Sequence, residues 1–230
     1  MQLQPTALTP MHAVSSNTAS SARISHWLPL LCVLLFTAVH GAQLEVAVTN
    51  ASAEPLANAV VYLLPKTPPA SLPPPHNAEI DQKDRTFVPL VSVIQTGAMI
   101  SFPNSDNIRH QVYSFSPAKI FKLKLYSGRS AEPVLFDKPG VVVMGCNIHD
   151  QMVAWLLVVD TPWFGVTGAD GKIRIATVPN GDYSLVAWHP NQRVAADPVD
   201  IKLVGEMTKS LSVDAKPIDT AHVGHGAPGG

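Results

Sequence analysis

Charge is scarce in this chain. Asp, Glu, Lys and Arg make only 14% of its 230 residues, and 16 basic side chains against 17 acidic ones leave a formal charge of −1. That balance excludes a generic basic nucleic-acid binder and an acidic solvating tail. Aromatic residues are few, at 7%, and the 2 cysteines allow one disulfide at most. No apolar run reaches the roughly 20 residues that cross a bilayer. No long segment repeats with the period of a helix. Gly-x-Ser-x-Gly, His-Glu-x-x-His and a phosphate loop are all missing. Gly165, Gly168 and Gly171 sit in a turn and form no nucleotide fingerprint. What is plentiful is apolar surface, 46% of residues, which a disordered chain lacks. The 21 prolines and many valines favour short strands and loops.

Residues 1–42 read as a secretory signal. Met1 to Ser25 is polar and free of acids, the apolar run Trp27 to Val39 follows, and small residues end at Gly41 and Ala42. The chain is then expected to be periplasmic or secreted, with no membrane contact once the signal is removed. Cys32 lies inside the apolar run and leaves with it. One cysteine, Cys146, remains in an oxidising compartment, where it is buried and idle, paired between chains, or held by a metal.

Strand signals fill the rest. Leu44 to Val48 alternates, and Ala59 to Leu64 follows a turn at Asn50 to Pro55. Pro65, Pro68, Pro69, Pro73, Pro74 and Pro75 mark an extended linker over 67–77. Strands are expected at Phe87 to Ile94, Ala98 to Phe102, Gln111 to Phe115, Phe121 to Tyr126, Val134 to Phe136 and Gly140 to Met144. Val153 to Val159 is apolar throughout, as in a strand covered on both faces. Further on, Phe164 to Gly171 reads as a turn and Lys172 to Ile175 as a strand. Asn180-Gly181 gives a hairpin signal before Ser184 to Trp188. Asp200 to Leu203 and Thr208 to Val213 are the last strand candidates, and 216–230 reads as a disordered tail. The fold class is all-β, of sandwich type.

The chemistry concentrates in Gly145-Cys-Asn-Ile-His-Asp-Gln-Met152. A short loop between two strands can turn the Cys146 thiol, the His149 imidazole and the Met152 thioether toward one point. His110, before the strand at Gln111, offers a second imidazole. Thiolate, two imidazoles and a weak methionine form the ligand set of a blue-copper electron-transfer site. Two plainer readings stand beside it. One is a buried cysteine with incidental neighbours. The other is zinc on Cys and His, for which methionine is a poor ligand. The remaining candidates are weaker. His189 is expected to cap a strand, His76 to be solvated, and His222 and His225 to lie in the tail. Trp155 reads as core, and Lys119, Lys122, Lys124 and Arg129 as a solvated basic face.

Cys146-x-x-His149-x-x-Met152, with His110 after the Asn/Asp-rich turn Pro103-Asn-Ser-Asp-Asn107, resembles the cupredoxins of plastocyanin and amicyanin type. The resemblance covers about 78–160. The whole chain is also similar to exported proteins described as methylamine-utilisation or plastocyanin-like. The resemblance implies a Greek-key sandwich and one type 1 copper, with His110, Cys146 and His149 as equatorial ligands and Met152 axial. It further implies a surface-near His149 and a transient redox partner such as a cytochrome or a dehydrogenase. Gln111 departs from the family, which has asparagine there.

Around that segment, Thr167-Gly-Ala-Asp-Gly171 and Pro179-Asn-Gly-Asp-Tyr183 resemble carboxypeptidase-regulatory-like, or transthyretin-like, sandwiches, and Leu44 to Leu64 resembles their first half. The expectation is one small sandwich split over 43–66 and 161–215, with the cupredoxin domain, 78–160, inserted. Pairing of Leu44 to Leu64 only with strands from 87–159 would exclude it. The expected function is an electron carrier rather than an enzyme; the alternative is a copper module for storage, delivery or sensing.

Overall fold

The structure is a computed structural model and describes residues 41–129 and 132–219. It is all-β. Two strands open it, β1 (Ala42–Thr49) and β2 (Val60–Pro65). After the proline stretch come β3 (Ala78–Glu79), β4 (Asp81–Lys83), β5 (Thr86–Val88), β6 (Val91–Gln95), β7 (Ala98–Ser101), β8 (Val112–Ser116), β9 (Lys119–Lys122), β10 (Val134–Phe136), β11 (Gly140–Cys146) and β12 (Val153–Val159). The rest are β13 (Phe164–Val166), β14 (Lys172–Val178), β15 (Gly181–Trp188), β16 (Val199–Leu203) and β17 (Glu206–Ser212).

Alternation explains β1. Ala42, Leu44, Val46 and Val48 are buried, and the residues between them are half-buried. β1 pairs antiparallel with β14 and parallel with β17. β2 pairs with β13 and β15, and β15 with β16. These sheets enclose one core, built on Leu44, Val46, Leu63, Ile175, Leu185 and Leu203. Leu44 to Leu64 therefore pairs with strands from the last third of the chain. Among the described residues it has no ladder partner within 87–159. The expected signal ends at Ala42, the residue on which β1 opens. Residues 1–40 lie outside those described.

The intervening strands form a sheet of order β6-β12-β11-β8-β9, facing a smaller one of order β10-β7-β3. A second core lies between them, with Phe87, Phe102, Phe136, Met144 and Leu156 among its members. β12 shows why an unbroken apolar run was needed. Ala154, Leu156 and Val158 point into this core. Trp155, Leu157 and Val159 point the other way, into a third cluster with Val60, Tyr62, Phe164 and Trp188. Trp155 is thus core material.

Several expectations are corrected. Asn180-Gly181 makes no hairpin, because β14 joins the β1 sheet and β15 joins the β2 sheet. Neither residue has the positive φ that a two-residue hairpin turn demands; Thr177 has it instead, at 59°. The hairpin turn of that kind is at Asp84 and Arg85, φ 53° and 56°, between β4 and β5. Phe164 to Gly171 is not all turn, since it begins with β13. β9 stops at Lys122, yet Phe121 and Leu123 still pack on the second core while Lys122 and Lys124 face solvent. Of the supposed tail, Ile218 packs on the third cluster; 220–230 lies outside the described residues.

Candidate metal centre

Strand ends deliver His110 and Cys146, and the loop between β11 and β12 carries His149 and Met152. His110 precedes β8 and is locked by a two-way backbone pair with Tyr126, both bonds 3.0 Å. Cys146 ends β11, opposite Val112 of β8. That ladder puts the thiol beside the start of the strand that follows His110. The loop after Cys146 is closed by its own backbone. Cys146 N–H donates to Met152 O at 3.2 Å, and Met152 N–H donates to His149 O at 3.0 Å. Asn147 N–H donates to Gln111 O at 3.3 Å, tying the loop to the His110 segment.

The side chains converge. Cys146 Sγ lies 3.5 Å from His110 Nδ1. One ligand atom each from His110, Cys146 and His149 lie within 4.8 Å of one another, the one such His/Cys/acid group containing a thiol or imidazole among the described residues. The two imidazoles meet edge-on, centroids 5.1 Å apart. A first-row metal at about 2.0 Å from nitrogen and about 2.3 Å from sulfur sets its donors about 3.3–3.7 Å apart, so the 3.5 Å between Cys146 Sγ and His110 Nδ1 suits one ion. His149 Nδ1 is buried and has no hydrogen-bond partner. A buried imidazole nitrogen left unpaired costs free energy unless something occupies it. Cys146 is buried and free of any disulfide. The donor set therefore fits a soft or borderline metal.

Met152 is 1% exposed and shares the second core with Cys146. The loop brings it back to the thiol's end of β11 through the Cys146–Met152 backbone bond.

The surroundings hold His110 rigidly. Its Nε2 lies 2.8 Å from Asp106 Oδ2. Burial pushes the Asp106 carboxyl up, but hydrogen bonds from the Arg85 amide, His110 and the Asp84 amide outweigh that and hold it below the usual range. Burial, above all, holds His149 below the ordinary histidine value. Tyr126 is pushed up to about 12, first by burial and further by the neighbouring Cys146 and Asp81. Its hydroxyl donates to Phe102 O and accepts from Gln82 Nε2.

Sequence reasoning missed Asp106 and Asn104. Asn104 Nδ2 donates to Ile108 O at 2.8 Å and Tyr126 O at 3.0 Å, and its Oδ1 accepts from Asp106 N–H at 3.0 Å. It braces the turn that carries His110. Gln111, the residue that departs from the cupredoxin pattern, donates from Nε2 to Leu123 O at 2.9 Å. The available signal was Asp106 standing four residues before His110. His189 stands outside the cluster at the end of β15, where its Nδ1 accepts from Asn191 N–H. His76 is exposed, and His222 and His225 lie outside the described residues.

No family model matches the chain, and no curated protein sequence matches it. Solved structures do. A purple cupredoxin from Nitrosopumilus maritimus is 20% identical, aligned over 36% of this chain and 100% of its own, with a TM-score of 0.33. A copper-containing nitrite reductase from Thermus scotoductus is 20% identical over 50% of this chain, TM-score 0.34; the chain spans only 28% of that enzyme's length. A reduced amicyanin variant is 16% identical over 35% of this chain and 80% of its own, TM-score 0.32.

Proposed function

We propose that this chain is an exported type 1 copper protein that carries single electrons between redox partners. The carrying observation is the convergence of Cys146 Sγ with one ring nitrogen each of His110 and His149, beside a buried His149 Nδ1 that has no hydrogen-bond partner. His110, Cys146 and His149 would hold the ion, and Met152 would be its weak fourth ligand. Copper there supplies one-electron chemistry by alternating between cuprous and cupric forms. The protein's part is to keep the donors fixed. His110 is clamped on backbone and ring, and Cys146 sits at the end of a paired strand, so neither need move when charge changes. His149 is half-buried while His110 is fully buried, and exposed Ile148 flanks it. A partner docking on that side comes nearest the site. The division into a split sandwich, 43–66 with 161–215, around an inserted copper domain at 78–160 is the reading that the ladders of β1 and β2 favour.

The test is optical. Residues 43–230 loaded with cupric ion should absorb strongly in the visible, and Cys146→Ser should remove that band while cupric ion still binds the imidazoles. A colourless cupric protein would overturn the carrier reading in favour of storage, delivery or zinc.

A further inference from the structure

Asp106 is the part of this centre that the donor count does not explain. Its side chain is 11% exposed, and both oxygens are taken. Oδ1 accepts the Asp84 N–H at 2.6 Å; Oδ2 accepts the Arg85 N–H at 2.9 Å and lies 2.8 Å from His110 Nε2. Asp84 and Arg85 both have positive φ. Successive amides in a turn of that kind converge on an anion. The carboxylate is thus pinned from below by the β4–β5 turn and from its own backbone by Asn104.

An ionised carboxylate can only accept. The His110 nitrogen facing it must therefore carry the ring proton. A ring that ligates a metal has one such proton, so Nδ1, 3.5 Å from Cys146 Sγ, is the nitrogen whose lone pair is left free. We propose that Asp106 is the positioning residue of the centre: it fixes the Nε2–H tautomer and the ring orientation of His110 and strengthens Nδ1 as a donor. The proposal rests on the copper reading only in taking His110 as a ligand. Carboxylate–imidazole–metal relays of this kind orient the ring and raise its basicity. The tie also makes the β4–β5 turn part of the centre, although neither Asp84 nor Arg85 touches a donor atom.

The experiment has one arm without metal and one with it. In the metal-free protein, long-range nitrogen–proton NMR should show His110 as the Nε2–H tautomer alone, with a slowly exchanging proton. In Asp106→Ala the tautomers should mix and that proton should exchange fast. An Nδ1–H tautomer in the unmodified chain, or an unchanged His110 spectrum in Asp106→Ala, overturns the proposal whether or not copper binds. In the copper-loaded protein, Asp106→Asn should raise the reduction potential and weaken copper binding about 10- to 100-fold. Asp106→Glu should recover part of both. Equal potentials for Asp106→Asn and the unmodified protein overturn the proposal. A copper-loaded chain without a visible band overturns the carrier reading instead, and the NMR arm then decides Asp106 alone.

Discussion

Among the described residues, two fully buried histidines, His110 and His189, carry different tasks. His110 spends both ring nitrogens, one on Asp106 and one toward Cys146. His189 follows β15 and caps the turn to Gln192, accepting Asn191 N–H at Nδ1. Burial holds His189 below the ordinary value, against a smaller opposite pull from the Ala57 carbonyl. A histidine with a lowered folded pKa binds its proton first in the unfolded chain. Its contribution is therefore complete above the unfolded value, about 6.5, and is lost as pH falls from there toward the folded pKa. Urea melts of the metal-free protein should show stability declining below about pH 6.5. His149 adds to the same slope, so His189→Gln should flatten it only in part. Met152 makes the other residue-scale prediction. Met152→Leu conserves volume and removes the sulfur, so the visible band should persist while voltammetry shows a higher potential. The proposed donors Cys146, His149 and Met152 stood out in the sequence because Cys-x-x-His-x-x-Met is local, and the structure brings His110 to Cys146 and His149 from 36 residues before Cys146. Asp106 was not, because its importance lies in the amides of Asp84 and Arg85, which meet it only through folding.

At the scale of elements, most strands were readable from alternation, and the errors cluster at connections. Asn180-Gly181 carries a strong local preference, yet the chain there leaves one sheet for another. Asn180 Oδ1 accepts from Gly205 N–H, tying the crossing to the β16–β17 turn. The preference of two residues is smaller than the burial gained when Val178, Tyr183 and Leu185 all reach the same core. The reverse holds at Asp84-Arg85, where no glycine advertised a turn and a carboxylate from another segment stabilises it. Gly171 is a connection whose residue type is obligatory. Its φ is +71°, and an added Cβ would lie 2.6 Å from Val48 O and 2.9 Å from Leu56 N. Backbone at that range cannot give way. Gly171→Ala should cost about 1–3 kcal/mol in denaturant unfolding, with an unchanged slope against urea.

At the scale of the described chain, β12 is the strand shared by two apolar clusters. Its odd-numbered side chains Trp155, Leu157 and Val159 meet Val60 and Tyr62 of β2 and Trp188 of β15. Leu157→Ala should cost about 2–4 kcal/mol. Leu157→Asp should go further, separating one calorimetric transition into two as the sandwiches unfold apart. The apolar run announced a strand covered twice, but not what covered it. Partners drawn from opposite ends of a sequence leave no local trace. Only the likeness of Leu44 to Leu64 to half of a sandwich hinted that β1 would wait for β14 and β17.

That wait has a consequence for how the molecule is made. β1 lies between β14 and β17, in parallel register from Gln43 with Glu206 to Thr49 with Ser212. On the ribosome, the strand synthesised early has neither neighbour until nearly everything after it has appeared. The middle of the chain, 78–159, holds its own ladders and can condense first. Its closure brings the two flanking stretches side by side and shortens the search that the late strands must make.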